Sequence, residues 1–427
     1  MVPDVPAAEV AALDPGDPDF VADPYPVFHA LRSRAALHRH PAWGSHVALS
    51  HEMCSTVLRH RRLLRVWTDR EPAAEFESFN ALHRLSMLEN EQHHDRLRAA
   101  VSPLFHRRHV DSMRPVITEL VERRLGELCE RIEAEGDADL MAGLARPLPV
   151  DVIATLLGFP LRDGPLLRNW SNRIVRMYEP EIDEPARRDA ERAAGEFRGY
   201  IADLAEHRRR RPGDDLLSAL ADGSGDLSGD ELIANYVLLL MAGHEASVNG
   251  IGNAVVALHE HPEQWRHLRQ VREDERALLT AVDELLRHDT PNQLFERTAV
   301  RPVELGGHRV EEGEKVVVLL GAANRDPAVF SAPDGLDLTR APNPHLALGV
   351  GAHYCLGAPL ARLEIGLVLA ALAARLPEYA LPTPPHAARP SPSAATTGSA
   401  SQLDRRRVSS RFPTTPRSSV SCQRRSC

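Results

Sequence analysis

The sequence predicts a mainly α-helical protein with small β-sheets. Apolar residues recur at helical spacing over most of the chain. From Ser228 to about residue 259 the chain is apolar nearly all round, which predicts a long helix buried at the centre of the fold. Only residues 298–320 alternate polar and apolar positions between glycine turns, as expected for a small antiparallel sheet.

The helices before the central one are predicted in chain order from their periodicity and their breaks. They cover residues 24–34, 51–61, 93–105, 110–135, 148–157, 166–178 and 184–211. A short strand is expected over residues 46–49, whereas residues 62–90 have no regular pattern. Pro180 and Pro185 separate the last two of these helices, because proline rarely continues a helix.

The central helix has a clear start and a clear end. Ser228 is expected to cap its free N–H groups, and Pro262 is expected to stop it. Two further helices are predicted over residues 263–286, and a last one over residues 358–376. Beyond residue 380 the chain is rich in Pro, Ser, Thr, Ala and Arg without periodicity. We therefore expect a folded domain over residues 1–380 and a disordered or atypical tail over residues 381–427.

Composition excludes several classes of partner. The chain has 427 residues, of which 43% are hydrophobic, enough for a large core. Eight Arg and one Asp give residues 381–427 a charge of +7. Because the net charge of the whole chain is −9, residues 1–380 carry −16. Nucleic acid is therefore not the expected partner. No apolar run is long enough to cross a bilayer, the N-terminus lacks a signal core, and the five cysteines are few and uneven. A cytoplasmic protein with no membrane partner is expected.

Residues 345–364 hold a cysteine between glycines, directly before the last predicted helix. Cys355 would lie at the helix N-terminus, where free N–H groups stabilise a thiolate and lower its pKa. Isolated cysteines are usually buried structural residues, which is the alternative here. A zinc site that combines Cys355 with His345 and His353 is disfavoured, because no second Cys or His pair stands at ligand spacing.

Three other segments combine with this loop. Glu284 and Arg287 lie three residues apart on one helical face, and Phe295-Glu-Arg297 follows them. His94 and Arg98 share one face of an earlier helix. The middle of the central helix contains the residues Ala242-Gly243-His244-Glu245-Ala246-Ser247.

Together these segments resemble the soluble bacterial members of the cytochrome P450 family. The family's loop has an aromatic residue, a glycine, a basic residue, the cysteine and a second glycine at fixed offsets. Gly351, His353, Cys355 and Gly357 match it, whereas Leu348 stands in the aromatic position. The resemblance implies the cytochrome P450 fold, with the long central helix over a heme b whose iron is bound by Cys355.

The resemblance also implies a set of residues that bind the heme. His94, Arg98, Arg297 and His353 are expected at the propionates, while Glu284 and Arg287 are expected to be structural. Gly351 and Gly357 are expected to adopt positive φ close to the porphyrin, and Gly349 and Leu348 belong to the same loop. The aliphatic Leu348 is expected to alter the polarity around the sulfur.

The central helix departs from the family at its oxygen-binding segment. Ala242 and Gly243 are expected to leave room against the heme where the helix opens, but the family's threonine is Ala246. Glu245 is either a proton source or an internally paired carboxylate. A methyl group cannot relay protons, so a substrate group or a held water is the expected relay. Ser247 ranks second as a relay, because it is one residue further along the helix and its hydroxyl is turned by about 100° from position 246. Alternatively, the alanine merely slows the enzyme or uncouples it.

The resemblance implies a monooxygenase that uses O₂ to hydroxylate or epoxidise a small or medium natural-product-like substrate, in secondary metabolism. Electrons from NAD(P)H would arrive through a ferredoxin reductase and a ferredoxin. An acidic ferredoxin would approach a basic patch of Arg96, Arg107, Arg108 and Arg362, unless these are ordinary solvated arginines. Oxidative coupling or cyclisation, and a non-catalytic heme-binding protein, are the alternative functions.

Overall fold

The computed structural model describes residues 7–178, 182–213, 217–218, 227–376, 379 and 420–421. Helices dominate these residues, as the sequence predicts. Those before the central helix are α1 (Ala7–Val10), α2 (Pro18–Ala22), α3 (Tyr25–Arg34), α4 (His51–Arg59), α5 (Glu77–Leu85), α6 (His94–Val101), α7 (Arg107–Ser112), α8 (Arg114–Glu135), α9 (Pro147–Leu157), α10 (Gly164–Val175) and α11 (Glu184–Arg210). The others are α12 (Gly229–Glu260), α13 (Pro262–Val271), α14 (Glu275–His288), α15 (Leu320–Ala323) and α16 (Ala358–Arg375).

The strands form small sheets. They are β1 (Leu37–His40), β2 (Ser45–Ala48), β3 (Leu63–Leu64), β4 (Asp137–Ala138), β5 (Leu294–Ala299), β6 (Val303–Leu305), β7 (His308–Val310), β8 (Lys315–Leu319) and β9 (Val420–Ser421). The largest sheet has the order β1-β2-β8-β5-β3, in which β2 and β8 are parallel and the other neighbours antiparallel. The sheet predicted over residues 298–320 is therefore confirmed in part, because β5 and β8 also pair with strands from the N-terminal region.

The central helix α12 begins as predicted. Ser228 Oγ accepts a hydrogen bond from the Glu231 N–H at 3.2 Å, and the Glu231 carboxylate accepts one from the Ser228 N–H at 2.9 Å. The helix is continuous across Ala242 and Gly243, so the expected opening is wrong. A Cβ on Gly243 would lie 2.9 Å from Ile153 Cγ1, so this glycine allows α12 to pack closely on α9.

Residues 62–90 were expected to be irregular, yet they contain β3 and α5. The carboxylate of Glu191, on α11, accepts hydrogen bonds from the N–H groups of Ser78 and Phe79 at 2.8 and 3.0 Å. Free N–H groups at a helix start need such partners. The local sequence does not reveal α5, because its start is stabilised by a residue more than a hundred positions away.

The tail predicted over residues 381–427 lies outside the described residues, apart from β9, which pairs antiparallel with β4. Within the part of the chain that the structure describes, every helix is too short or too polar to cross a lipid bilayer.

Candidate active site

One cavity of about 390 Å³ lies between α12 and the loop that precedes α16. It is also bordered by α6 and β5. The lining includes these residues of the predicted site: His94, Arg98, Ala242, Gly243, Glu245, Ala246, Ser247, Arg297, Leu348, His353, Cys355 and Gly357. The structure thus gathers twelve predicted residues from four separate segments around one space. Gly349 and Gly351 are in the same loop but are not among its lining residues.

Cys355 is fixed by its backbone. Its N–H donates to the Leu348 carbonyl at 2.9 Å, and its carbonyl accepts from the Ala358 N–H at 3.3 Å, where α16 begins as predicted. Burial raises the pKa of the Cys355 thiol, while the Gly357 N–H and the guanidinium groups of Arg98 and Arg362 oppose the rise. The lowering expected from the helix N-terminus is therefore outweighed by burial.

The glycines of the loop have different roles. Gly349 and Gly351 have φ values of +68° and +82°, a region that favours glycine. A Cβ on Gly351 would also lie 2.8 Å from the Leu58 carbonyl oxygen, so this glycine is needed where the loop contacts α4. Gly357 has φ of −79° and caps α16, so the prediction of positive φ is wrong for this residue.

Basic side chains gather at one side of the cavity. The rings of His94 and His353 are 4.3 Å apart, and Arg98 Nη2 donates to the Tyr354 carbonyl at 2.7 Å. Arg297 is buried. His353 Nε2 lies 2.8 Å from Glu91 Oε1. Burial lowers the pKa of His353 to about 4, although the hydrogen bond with Glu91 opposes the shift.

Sequence reasoning missed Arg65 in this basic group. Its N–H donates to Glu91 Oε1 at 2.8 Å, and its guanidinium lies 3.5 Å from Glu89 Oε1. Arg65 is buried and lines the cavity. It stands in the segment without regular pattern, among several other arginines, so no feature of the sequence separates it from a solvated side chain.

Comparison with known proteins identifies the family. The family model described as Cytochrome P450 matches residues 44–392, which is most of the chain. The chain belongs to the cytochrome P450 family. The family fixes the cofactor as heme and the activity as that of a monooxygenase, an oxidoreductase that uses O₂.

Individual P450 relatives are similar over nearly their whole length. The chain is 38% identical to the cytochrome P450 monooxygenase PikC of Streptomyces venezuelae, over 86% of this chain and 87% of that protein. It is 39% identical to nocardicin C N-oxygenase of Nocardia uniformis subsp. tsuyamanensis, over 87% and 92% respectively. The crystal structure of CalO2 has a TM-score of 0.79 at 32% identity, covering 88% of this chain and 94% of that one.

The P450 cavity also contains a buried acid that sequence reasoning did not assign to the site. Glu364, on α16, is 1% exposed and lines the cavity beside Ser247. Burial raises its pKa to about 8, and the neighbouring Ser247 hydroxyl opposes the rise. Glu364 Oε1 has no protein partner. The sequence signal was a single carboxylate directly before the apolar run 365–374 of this helix.

The zinc alternative gains no support in this P450. Among the described residues, no group of three or more His, Cys, Asp or Glu side chains is arranged to hold a metal ion. His345 Nε2 instead lies 3.2 Å from Asp283 Oδ1, and His353 contacts Glu91. Each of the two histidines therefore contacts a carboxylate, as histidines with a structural role do.

Proposed function

We propose that this P450 hydroxylates or epoxidises a small or medium natural-product-like substrate, and that Cys355 would bind the iron of its heme. The observation that carries the proposal is the single cavity that unites Cys355 with Ala242 and Ala246 of the central helix. The relatives that act in secondary metabolism, PikC and nocardicin C N-oxygenase among them, support the substrate class.

The residues around the cavity fit a heme. Among the described residues, Cys355 provides the thiol that lines the space, and Arg98, Arg297, His94 and His353 provide positive and hydrogen-bonding groups for two carboxylates. Ala242 and Ala246 have only methyl groups on the cavity side of α12, so they leave space for O₂. When bound, heme supplies the redox chemistry; the side chains bind it, orient the substrate and hold protons.

The absorption spectrum after reduction and addition of CO tests this assignment. A Soret band at the position typical of thiolate-ligated heme is the expected result, and its absence would rule out ligation by Cys355. Turnover of NAD(P)H with a surrogate ferredoxin and reductase then separates an enzyme from a heme carrier. Product that contains one oxygen atom from labelled O₂ is expected for a monooxygenase, whereas a coupled or cyclised product without that oxygen would favour the alternative chemistry.

Protons for the reaction are proposed to come from Glu364 through Ser247. Both residues line the cavity, and a carboxyl group with a pKa of about 8 keeps its proton at neutral pH. A hydroxyl group both donates and accepts, so Ser247 can pass a proton onwards to a water in the cavity. A substrate group or a held water stays the expected relay to O₂ in place of the missing threonine, and this route would supply the proton that such a relay passes on.

Removing the relay should uncouple O₂ reduction from product formation. Glu364→Gln and Ser247→Ala are each expected to lower product per NAD(P)H by about 10-fold or more, within the range of general-acid contributions. Ser171→Ala is the matched control, because Ser171 is equally buried but contacts His244 and is not among the cavity-lining residues. If both Glu364→Gln and Ser247→Ala form as much product per NAD(P)H as the wild type, measured with a verified substrate, the proposed proton route is contradicted. Ala246→Thr in the Ser247→Ala background is expected to restore part of the yield.

The buried Glu364 also predicts how stability depends on pH. The folded state holds the proton up to a pKa of about 8, whereas the unfolded state releases it near 4.5. The folded state therefore binds more protons in this window, so stability falls as pH rises through it, by at most about 1.4 kcal/mol per pH unit. When unfolding by denaturant is measured from pH 5 to 8, the free energy of unfolding is expected to decline less steeply with pH for Glu364→Gln than for the wild type. Equal slopes would show that the carboxyl is ionised in the folded protein.

An acidic ferredoxin is proposed to dock on the Cys355 side. Two of the four predicted patch residues are engaged elsewhere: Arg96 donates to Glu231, and Arg362 lies 2.6 Å from Asp283. Arg107 lies 3.6 Å from Asp111 but is largely exposed, and Tyr354 is exposed beside the loop. Charge reversal at Arg107 is expected to slow ferredoxin-dependent reduction at low salt, with little effect on reduction by dithionite.

A further inference from the structure

Two cavity residues outside the predicted site form a buried hydrogen-bonded series. Tyr178 Oη lies 2.6 Å from His83 Nε2, and His83 Nδ1 lies 2.7 Å from Glu89 Oε2. The guanidinium of Arg65 is 3.5 Å from the other carboxylate oxygen. His83 and Glu89 are each less than a tenth exposed, and His83 and Tyr178 both line the cavity. The series therefore ends at the cavity with a phenol.

The direction of these hydrogen bonds follows from the chemistry of each group. An ionised carboxylate only accepts, so His83 Nδ1 carries the proton that is shared with Glu89. In a neutral imidazole the other nitrogen then has a lone pair, and it accepts the proton of Tyr178. Trp67 holds the imidazole in place, since the two rings stack at 3.7 Å with an angle of 7°. The Tyr178 hydroxyl therefore donates its proton to His83, and its oxygen faces the cavity as a hydrogen-bond acceptor.

We propose that Tyr178 is a specificity-determining residue that accepts a hydrogen bond from an O–H or N–H group of the substrate. This inference rests on the proposed function. The cavity wall around it is apolar, with Leu82, Met87, Ile174 and Val237 among its residues. In a mainly apolar pocket, one fixed polar group orients a ligand. The Tyr178 oxygen therefore favours ligands that have an O–H or N–H group over ligands of the same shape that have only hydrogen-bond acceptors.

Matched ligands test this selection directly. Equilibrium dialysis would compare dodecanol with its methyl ether, and N-dodecylacetamide with its N-methyl derivative, on the purified holoenzyme. Each pair differs in one donor hydrogen, and the two pairs distinguish O–H from N–H recognition. Wild-type protein is expected to bind the donor of at least one pair about five times more tightly, the factor for one typical hydrogen bond. Equal binding within both pairs, weak or tight, would overturn the proposal.

Variants then assign the preference to the series. Tyr178→Phe is expected to remove the donor preference, and Glu89→Gln to reduce it, because the orientation of the His83 proton is no longer fixed. Tyr200→Phe is the matched control: it also loses a phenol oxygen, which donates to Asp163 at 2.7 Å, and Tyr200 is not a lining residue. A general loss of packing weakens the binding of both ligands in a pair, so the ratio of their affinities does not change. A ratio that survives Tyr178→Phe contradicts the assignment, whereas failure of the CO spectrum would contradict the proposed function alone.

Discussion

Cys355→Ser is expected to abolish the CO absorption band of thiolate-ligated heme and to reduce product formation to the background of the assay. A serine hydroxyl stays protonated at neutral pH and cannot supply the anionic sulfur that favours O–O cleavage. The fold should survive, because the backbone hydrogen bonds of this residue to Leu348 and Ala358 do not involve its side chain. The reduced CO spectrum and the heme content of the purified variant measure the two effects separately.

A second buried cysteine provides the control for this substitution. Cys54 is fully buried, its thiol donates to the Ala48 carbonyl at 3.3 Å, and burial raises its pKa. It packs in a separate cluster with β8 residues and is not a lining residue of the cavity. Cys54→Ser is expected to keep the thiolate band, even if it lowers stability. A Cys355→Ser protein that retains the band would show that another residue binds the iron.

The parts of the fold that the sequence predicted well are those determined by nearby residues. The start of α12 depends on Ser228 and Glu231, three positions apart, which form a reciprocal cap. The position of Cys355 depends on the helix that begins at Ala358. Both features are visible in a short window of sequence, because the interacting groups are separated by one turn.

Features that depend on distant contacts were missed or misassigned. Gly243 lines the cavity as predicted, but its missing Cβ is required by Ile153 on α9, which the sequence does not reveal. Helix α5 was missed because its cap comes from Glu191. The protonation of Glu364 depends on burial by elements far away in the chain, which periodicity does not report. In each case the deciding partner becomes known only when two separate helices are brought together.

Arg287→Leu is expected to destabilise the folded state by about 3–5 kcal/mol, the usual cost of breaking a buried ion pair. The Arg287 and Glu284 side chains are completely buried, and two of the guanidinium nitrogens donate to the Glu284 carboxylate at 2.7 and 2.8 Å. The guanidinium also donates to the carbonyls of Asn324, Pro333 and Gly335 at 2.6 to 2.9 Å. Leucine would leave these carbonyls without their donor. Such a loss is a large fraction of the 5–15 kcal/mol typical of domains.

Chemical denaturation followed by far-ultraviolet circular dichroism measures this effect, with two further variants to identify its cause. Arg287→Lys keeps the charge but lacks the planar fork, so it should be destabilised less than leucine and still clearly. Arg114→Leu removes a surface pair with Glu275, in which both side chains are more than a third exposed, and should barely move the midpoint. If Arg287→Lys matches the wild type, positive charge alone stabilises this core and the directed hydrogen bonds to the three carbonyls contribute little. The five donated bonds around Arg287 predict the opposite, because a lysine ammonium has three hydrogens and cannot reach all the acceptors at once.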